Sequence, residues 1–129
     1  MVRDWELVRA ILLATESSPP QTMASPNVSS EPLRIDGYDD LVVTQHVVLL
    51  EQKGLVTANY ITANGVGRVH ARNVQLTWDG HEFLDNARND TIWRKSQDIA
   101  KRAGSVSFDV LKAILVALVK ERLGIGGGS

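Results

Sequence analysis

Residues 49–84 read LLEQKGLVTANYITANGVGRVHARNVQLTWDGHEFL, and the order of residue types along this stretch decides the fold class. Leu49 and Leu50 close an apolar repeat at helical spacing that starts at Leu41 and runs through Val43 and Val47, and Gly54 follows as a natural residue to end a helix in the left-handed conformation. Leu55 to Thr62 is β-branched and aromatic, and Val66 to Thr77 carries Val69, Val74 and Leu76. Two such runs around Asn64-Gly65 predict a β-hairpin, because a type I′ turn needs positive φ at both central residues. Gly67 and its polar neighbours equally allow a longer tip. Thr77 stands where an N-cap belongs, ahead of a helix over about residues 79–88 with Phe83, Leu84 and Ala87 on its inner face.

Working toward the N-terminus, Asp39 and Asp40 favour the start of the helix that ends at Gly54. Leu33 and Ile35 fit one face of a short strand closing at Gly37. Residues 17–32 hold all four prolines among Ser, Thr and Asn, which reads as a flexible loop. Before it, Trp5, Val8, Ile11 and Leu12 share one side of an amphipathic helix that proline stops at Ser17-Ser18-Pro19. Toward the C-terminus, Asn89 to Thr91 offers a fresh cap for a helix from Ile92 to Ala103 ended by Gly104, and Ser105 or Ser107 caps a last helix over 107–123. Between Val110 and Val119 only Lys112 is polar, so this helix has more apolar surface than one packing face requires. Residues 125–129 have the composition of a flexible linker or tail.

At 129 residues the chain suits one domain, over 1–124. The absence of cysteine excludes disulfides, thiol catalysis and zinc knuckles, and fits a reducing compartment, with the cytoplasm expected. The charged start Arg3-Asp4 and the lack of an apolar run of about 18 residues argue against export and membrane spanning. The net charge of −1 hides an asymmetry: residues 1–60 hold four Lys and Arg against eight Asp and Glu, whereas residues 61–129 hold ten against seven.

The order helix, loop with a short strand, helix, hairpin, helices resembles an α+β winged helix-turn-helix domain with additional C-terminal helices. Leu49 to Val56 looks like the end of a groove-entering helix and the entry to a wing in bacterial regulators; Leu76 to Leu84 resembles the return strand and the helix after it. The chain is also similar to a bacterial and phage family known as domain of unknown function 2513. That resemblance rests on Arg3-Asp4, Leu12-Leu13, Gly37-Tyr38, His46, Leu49-Leu50, Gly54-Leu55, the block from Leu76 to Asp85, Arg88, Asp90 to Trp93, and Gly104 to Leu111. It implies no activity.

A winged helix implies double-stranded DNA as partner, with one helix in the major groove and the hairpin along the backbone. Thr44, Gln45, Gln52 and Lys53 are then the candidates on the groove helix, although the same polar residues suit a solvated face and Asp39, Asp40 and Glu51 oppose phosphate. Arg68, His70 and Arg72 are better phosphate candidates, since no acid lies between Ile61 and Trp78. Val110, Ile114, Leu115, Leu118 and Val119 of the last helix are the expected oligomer interface, most simply of a homodimer. A module that binds a different protein and no nucleic acid is the alternative. Catalysis is not expected: a phosphate-binding Gly-rich loop and serine nucleophile signatures are missing, and His81-Glu82 lacks the second histidine of a zinc motif, position 85 being Asp. His46 and His81 are expected to bond at helix packing contacts, Trp78 and Trp93 to anchor the core, and no metal or cofactor is implied.

Overall fold

The structure is a computed structural model, and it describes residues 2–17, 32–63 and 68–124. The expected 17–32 loop, the hairpin tip at 64–67 and the 125–129 tail fall largely or wholly outside the described residues. The elements are α1 (Trp5–Ser17), α2 (Asp40–Gln52), β1 (Val56–Ala63), β2 (Arg68–Leu76), α3 (Trp78–Ala87), α4 (Asp90–Arg102) and α5 (Phe108–Leu123). The fold is therefore α+β. Leu33 to Ile35 does not form the short strand read from its alternation; the Leu33 N–H donates to the Ala71 carbonyl at 2.8 Å, a single bond along the edge of β2.

Where the chain length suggests one domain, the fold divides into two compact units, residues 1–81 and 82–129. In the first, α1 packs on α2 and on β2, and α2 packs on both strands. Its core is Leu7, Val8, Ile11 and Leu12 from α1, Val43, Val47 and Leu50 from α2, then Leu55, Val56, Ala71 and Val74. Each of the Leu, Val and Ile side chains contributes roughly 1.5–3 kcal/mol on removal from water. In the second unit α4 packs on α5, Phe83 lies 5.0 Å from Phe108 ring to ring, and Ile92, Trp93, Ala100, Leu111 and Leu115 are buried.

The caps fall where side-chain chemistry places them. Asp39 accepts from the Leu41 N–H, Asn89 from the Ile92 N–H and Ser107 from the Val110 N–H, so α2, α4 and α5 each begin on a satisfied orphan donor. Thr77 both starts α3 and ties it to the helix–hairpin corner. Its hydroxyl accepts from the Gly80 N–H at 3.1 Å and donates to the Gly54 carbonyl, while its own N–H donates to the Leu55 carbonyl at 3.0 Å. Among the described residues no helix is long and apolar enough to cross a membrane.

Candidate nucleic-acid interface

The hairpin carries the candidate site, and one irregularity in β2 sets which of its side chains face outward. The register pairs Thr57 with Gln75 and Asn59 with Arg72, so Ala58 alone stands opposite Asn73 and Val74. Asn73 takes φ 54, a left-handed conformation that asparagine tolerates better than most residues. This is a β-bulge, and an extra residue in one strand reverses which side chains face inward beyond it. Val74 and Ala71 are both buried, three residues apart. Strict alternation from Val74 would have turned Arg72, His70 and Arg68 toward the core.

The register instead sets His70 and Arg72 opposite Ile61 and Asn59, on the face away from Ala71 and Tyr60, and pairs Arg68 with Ala63 along the backbone. That face bears no carboxylate along the paired residues. Neither His70 nor Arg72 has a hydrogen-bond or ion-pair partner among the described residues, and both are half-buried. Arg68 is placed by its backbone pairing alone. The alternation break, with apolar residues at 69, 71, 74 and 76, was the readable signal of the bulge, and sequence reasoning missed it.

The groove-helix candidates separate. Thr44 is buried and its hydroxyl donates to the Asp40 carbonyl at 2.9 Å, which removes it from any base edge. Gln45 is half-buried; Gln52 and Lys53 are exposed at the C-terminal end of α2. Leu41 is 60% exposed on the same helix. Glu51 is drawn away from solvent toward the hairpin: one carboxylate oxygen accepts from the Tyr60 hydroxyl at 2.9 Å and the other from the Ala58 N–H at 3.3 Å. This clasp joins the end of α2 to β1.

Burial, then the hydrogen bond and charge of Glu51, push the Tyr60 phenol up to about 12 from its usual 10.0. The folded state thus holds the Tyr60 proton more tightly than the unfolded chain. The clasp contributes its full stability below pH 10 and loses it as the pH rises toward about 12. In a spectrophotometric titration the later tyrosinate step should vanish in Tyr60→Phe, and an unchanged curve above pH 11 counts against the clasp.

A second polar cluster joins α1 to α2. His46 is fully buried; its Nε2 accepts from the Asp4 N–H at 2.9 Å and its Nδ1 lies 2.8 Å from the Val42 carbonyl. A carbonyl can only accept, so the proton sits on Nδ1 and both ring nitrogens are occupied by backbone. The Asp4 carboxylate caps α1 at the Leu7 N–H, 3.2 Å away, and also accepts from Tyr38. Burial first, then the charge and hydrogen bond of Asp4 and the charge of Glu6, raise the Tyr38 phenol. His46 therefore fills the packing role expected of it. His81 does not, being exposed on α3. Among the described residues no group of three His, Asp or Glu is placed to hold a metal ion.

Trp93 is buried as expected of a core anchor, whereas Trp78 is 80% exposed at the first position of α3. Of the α5 candidates, Val110 is 48% exposed and Ile114, Leu118 and Val119 are half-buried. Leu115 has no exposed surface and belongs to the core of the second unit, so it cannot meet a partner. A groove of about 260 Å³ lies between α4 and α5, lined by Thr91, Ile92, Lys95, Leu118, Glu121 and Arg122.

Fold and site together define a small α+β protein of five described helices and one antiparallel hairpin with a basic outer face. The pattern of the family described as "Hypothetical protein (DUF2513)" matches residues 2–107, and the chain belongs to that family. A Haemophilus influenzae protein bearing the description "Uncharacterized protein" is 34% identical over 125 residues, covering 95% of this chain and 99% of its own length. No solved structure matches the chain.

Proposed function

We propose that this is a non-enzymatic winged-helix protein that binds double-stranded DNA, with β1 and β2 as the wing and α2 as the groove-directed helix. The order α1, the 33–35 segment bonded to β2, α2 and the hairpin supports the winged-helix reading. The observation that carries the DNA reading is the bulge at Asn73, which turns His70 and Arg72 onto one acid-free face, with Arg68 further along the same strand. Alternate strand residues lie about 6.7 Å apart, close enough for neighbouring cations to reach successive phosphates of one duplex strand. Such a row suits backbone contact, which fixes orientation without reading sequence. Gln45, Gln52 and Lys53 remain for base edges.

The test is binding to generic duplex across a salt series. Log affinity should fall steeply with log salt, and the Arg68→Ala/Arg72→Ala variant should bind about 10- to 100-fold more weakly at about 50 mM salt, with the slope reduced by about two. Absence of binding at that salt, or an affinity that the double variant leaves unchanged, rejects the proposal. A second reading, a module that grips another protein and no nucleic acid, is favoured by the 60% exposure of Leu41 on a helix whose single cation flank is Lys53.

A further inference from the structure

α4 and α5 leave a groove between them that neither helix fills. Its volume is about 260 Å³, and it lies wholly within the second unit, where the start of α4 meets the end of α5. Ile92 and Leu118 form an apolar floor, the first buried and the second half-buried. Thr91, Lys95, Glu121 and Arg122 stand around that floor, and all four are exposed. The side chains of Lys95, Glu121 and Arg122 make no ion pair or hydrogen bond among the described residues, either with each other or with a neighbour. Both signs of charge thus border one apolar floor, and the fold uses neither.

Size and charge together select the occupant. Small-molecule sites run to roughly 300–1,000 Å³, so this one takes a small ligand. At about 30 Å³ per water it has room for roughly ten non-hydrogen atoms, too few for a nucleotide. A plain anion would meet Lys95 and Arg122 but also face Glu121, and a plain cation would face two like charges. An uncharged apolar molecule would cover the floor and leave all three charges without a partner. A small zwitterion satisfies every lining residue: its carboxylate takes Lys95 and Arg122, its ammonium takes Glu121, and its side chain rests on Ile92 and Leu118. The Thr91 hydroxyl, a donor and an acceptor, suits either charged end. We propose that the groove between α4 and α5 binds a free α-amino acid with an apolar side chain of about the size of leucine. Two cations stand against one acid, so the carboxylate is the more strongly held end. This inference stands apart from the nucleic-acid reading, whose residues all belong to the first unit.

An open groove with exposed charges holds a small ligand weakly, so L-leucine should bind the full chain with Kd about 0.1–1 mM. Titration with L-leucine to about 20 mM, followed by NMR, should shift the Ile92 and Leu118 methyl resonances saturably and leave those of the first-unit core in place. Three analogues each keep part of the ligand: isocaproate lacks the ammonium, isoamylamine lacks the carboxylate, and glycine lacks the apolar side chain. Each should bind about fivefold or more weakly than L-leucine, since each gives up one charge-assisted contact or the floor. Arg122→Glu should weaken L-leucine about tenfold or more, because an attraction becomes a repulsion. Glu121→Gln should weaken L-leucine while isocaproate binds as well as before or better, a split that damage to the fold does not produce. Absence of saturable shifts at about 20 mM, shifts centred away from the groove, or an isocaproate affinity equal to that of L-leucine overturns the proposal. The analogue series uses the unmodified chain, so it decides the matter even where a variant fails to fold.

Discussion

Gly80→Ala should destabilise the protein by about 3 kcal/mol or more, at or beyond the upper end of what forced overpacking costs. A Cβ at this position would lie 2.0 Å from the Leu55 carbonyl oxygen, 3.1 Å from the Leu55 carbonyl carbon and 3.3 Å from Leu76 Cδ2. The obstacle is backbone, and it is clamped. The Leu55 carbonyl accepts from the Thr77 N–H, and the Leu55 N–H donates to the Leu50 carbonyl at 2.9 Å. By intrinsic propensity alone, alanine inside α3 would gain about 1 kcal/mol over glycine. The steric cost exceeds that gain, so the sign of the substitution is set by tertiary approach. Gly54 provides the contrast: φ is +82 with nothing within 4 Å of an added Cβ, so Gly54→Ala should cost only about 1–2 kcal/mol of backbone strain. Urea unfolding of the two variants checks both, and a Gly80→Ala midpoint at or above that of Gly54→Ala would falsify the close-approach account.

His46→Leu should cost about 2–4 kcal/mol, although it puts an apolar side chain of similar size at a fully buried position. The ring nitrogens are what the site uses: Nε2 satisfies the Asp4 N–H, and without it that donor is left unpaired beside a fully buried position. The loss should be local before it is global. The Asp4 amide and the first turn of α1, capped through the Asp4 carboxylate on the Leu7 N–H, should lose hydrogen-exchange protection by at least about tenfold, while the amides of α5 should change only with global stability. Protection retained at Asp4 and Leu7 in the variant would mean that the histidine is a space-filler.

These two residues show how differently the sequence spoke. The Leu-Thr-Trp-Asp-Gly-His-Glu block marked a boundary between strand and helix, and Thr77 is the cap that its chemistry announced. Nothing in the block says that Gly80 is there because a carbonyl 25 residues earlier in the chain passes against it. His46 was legible as a packing histidine because it sits within an apolar helical repeat. Its partner Asp4 lies 42 residues away, a distance over which no spacing rule operates. Thr44 and Leu115 misled for a related reason: a hydroxyl and a leucine at helical spacing look the same whether the next element covers them or leaves them in water. Trp78 erred in the other direction, its bulk suggesting core where the fold leaves it 80% exposed.

The sequence by itself determined the helices, their caps and the hairpin, because capping, turn chemistry and apolar periodicity act between residues a few positions apart. It also determined that positive charge gathers in the hairpin and beyond, while negative charge gathers before it. Only the tertiary structure decided which way those charges point. The bulge at Asn73 lets Val74 and Ala71 both reach the core, and with strand side chains alternating, that choice sends Arg72 and His70 to the opposite face. The Glu51 clasp on Tyr60 and Ala58 is decided the same way, by which strand happens to lie beside the end of α2. Facing depends on what each element packs against, and that is a property of contacts between residues far apart in the chain.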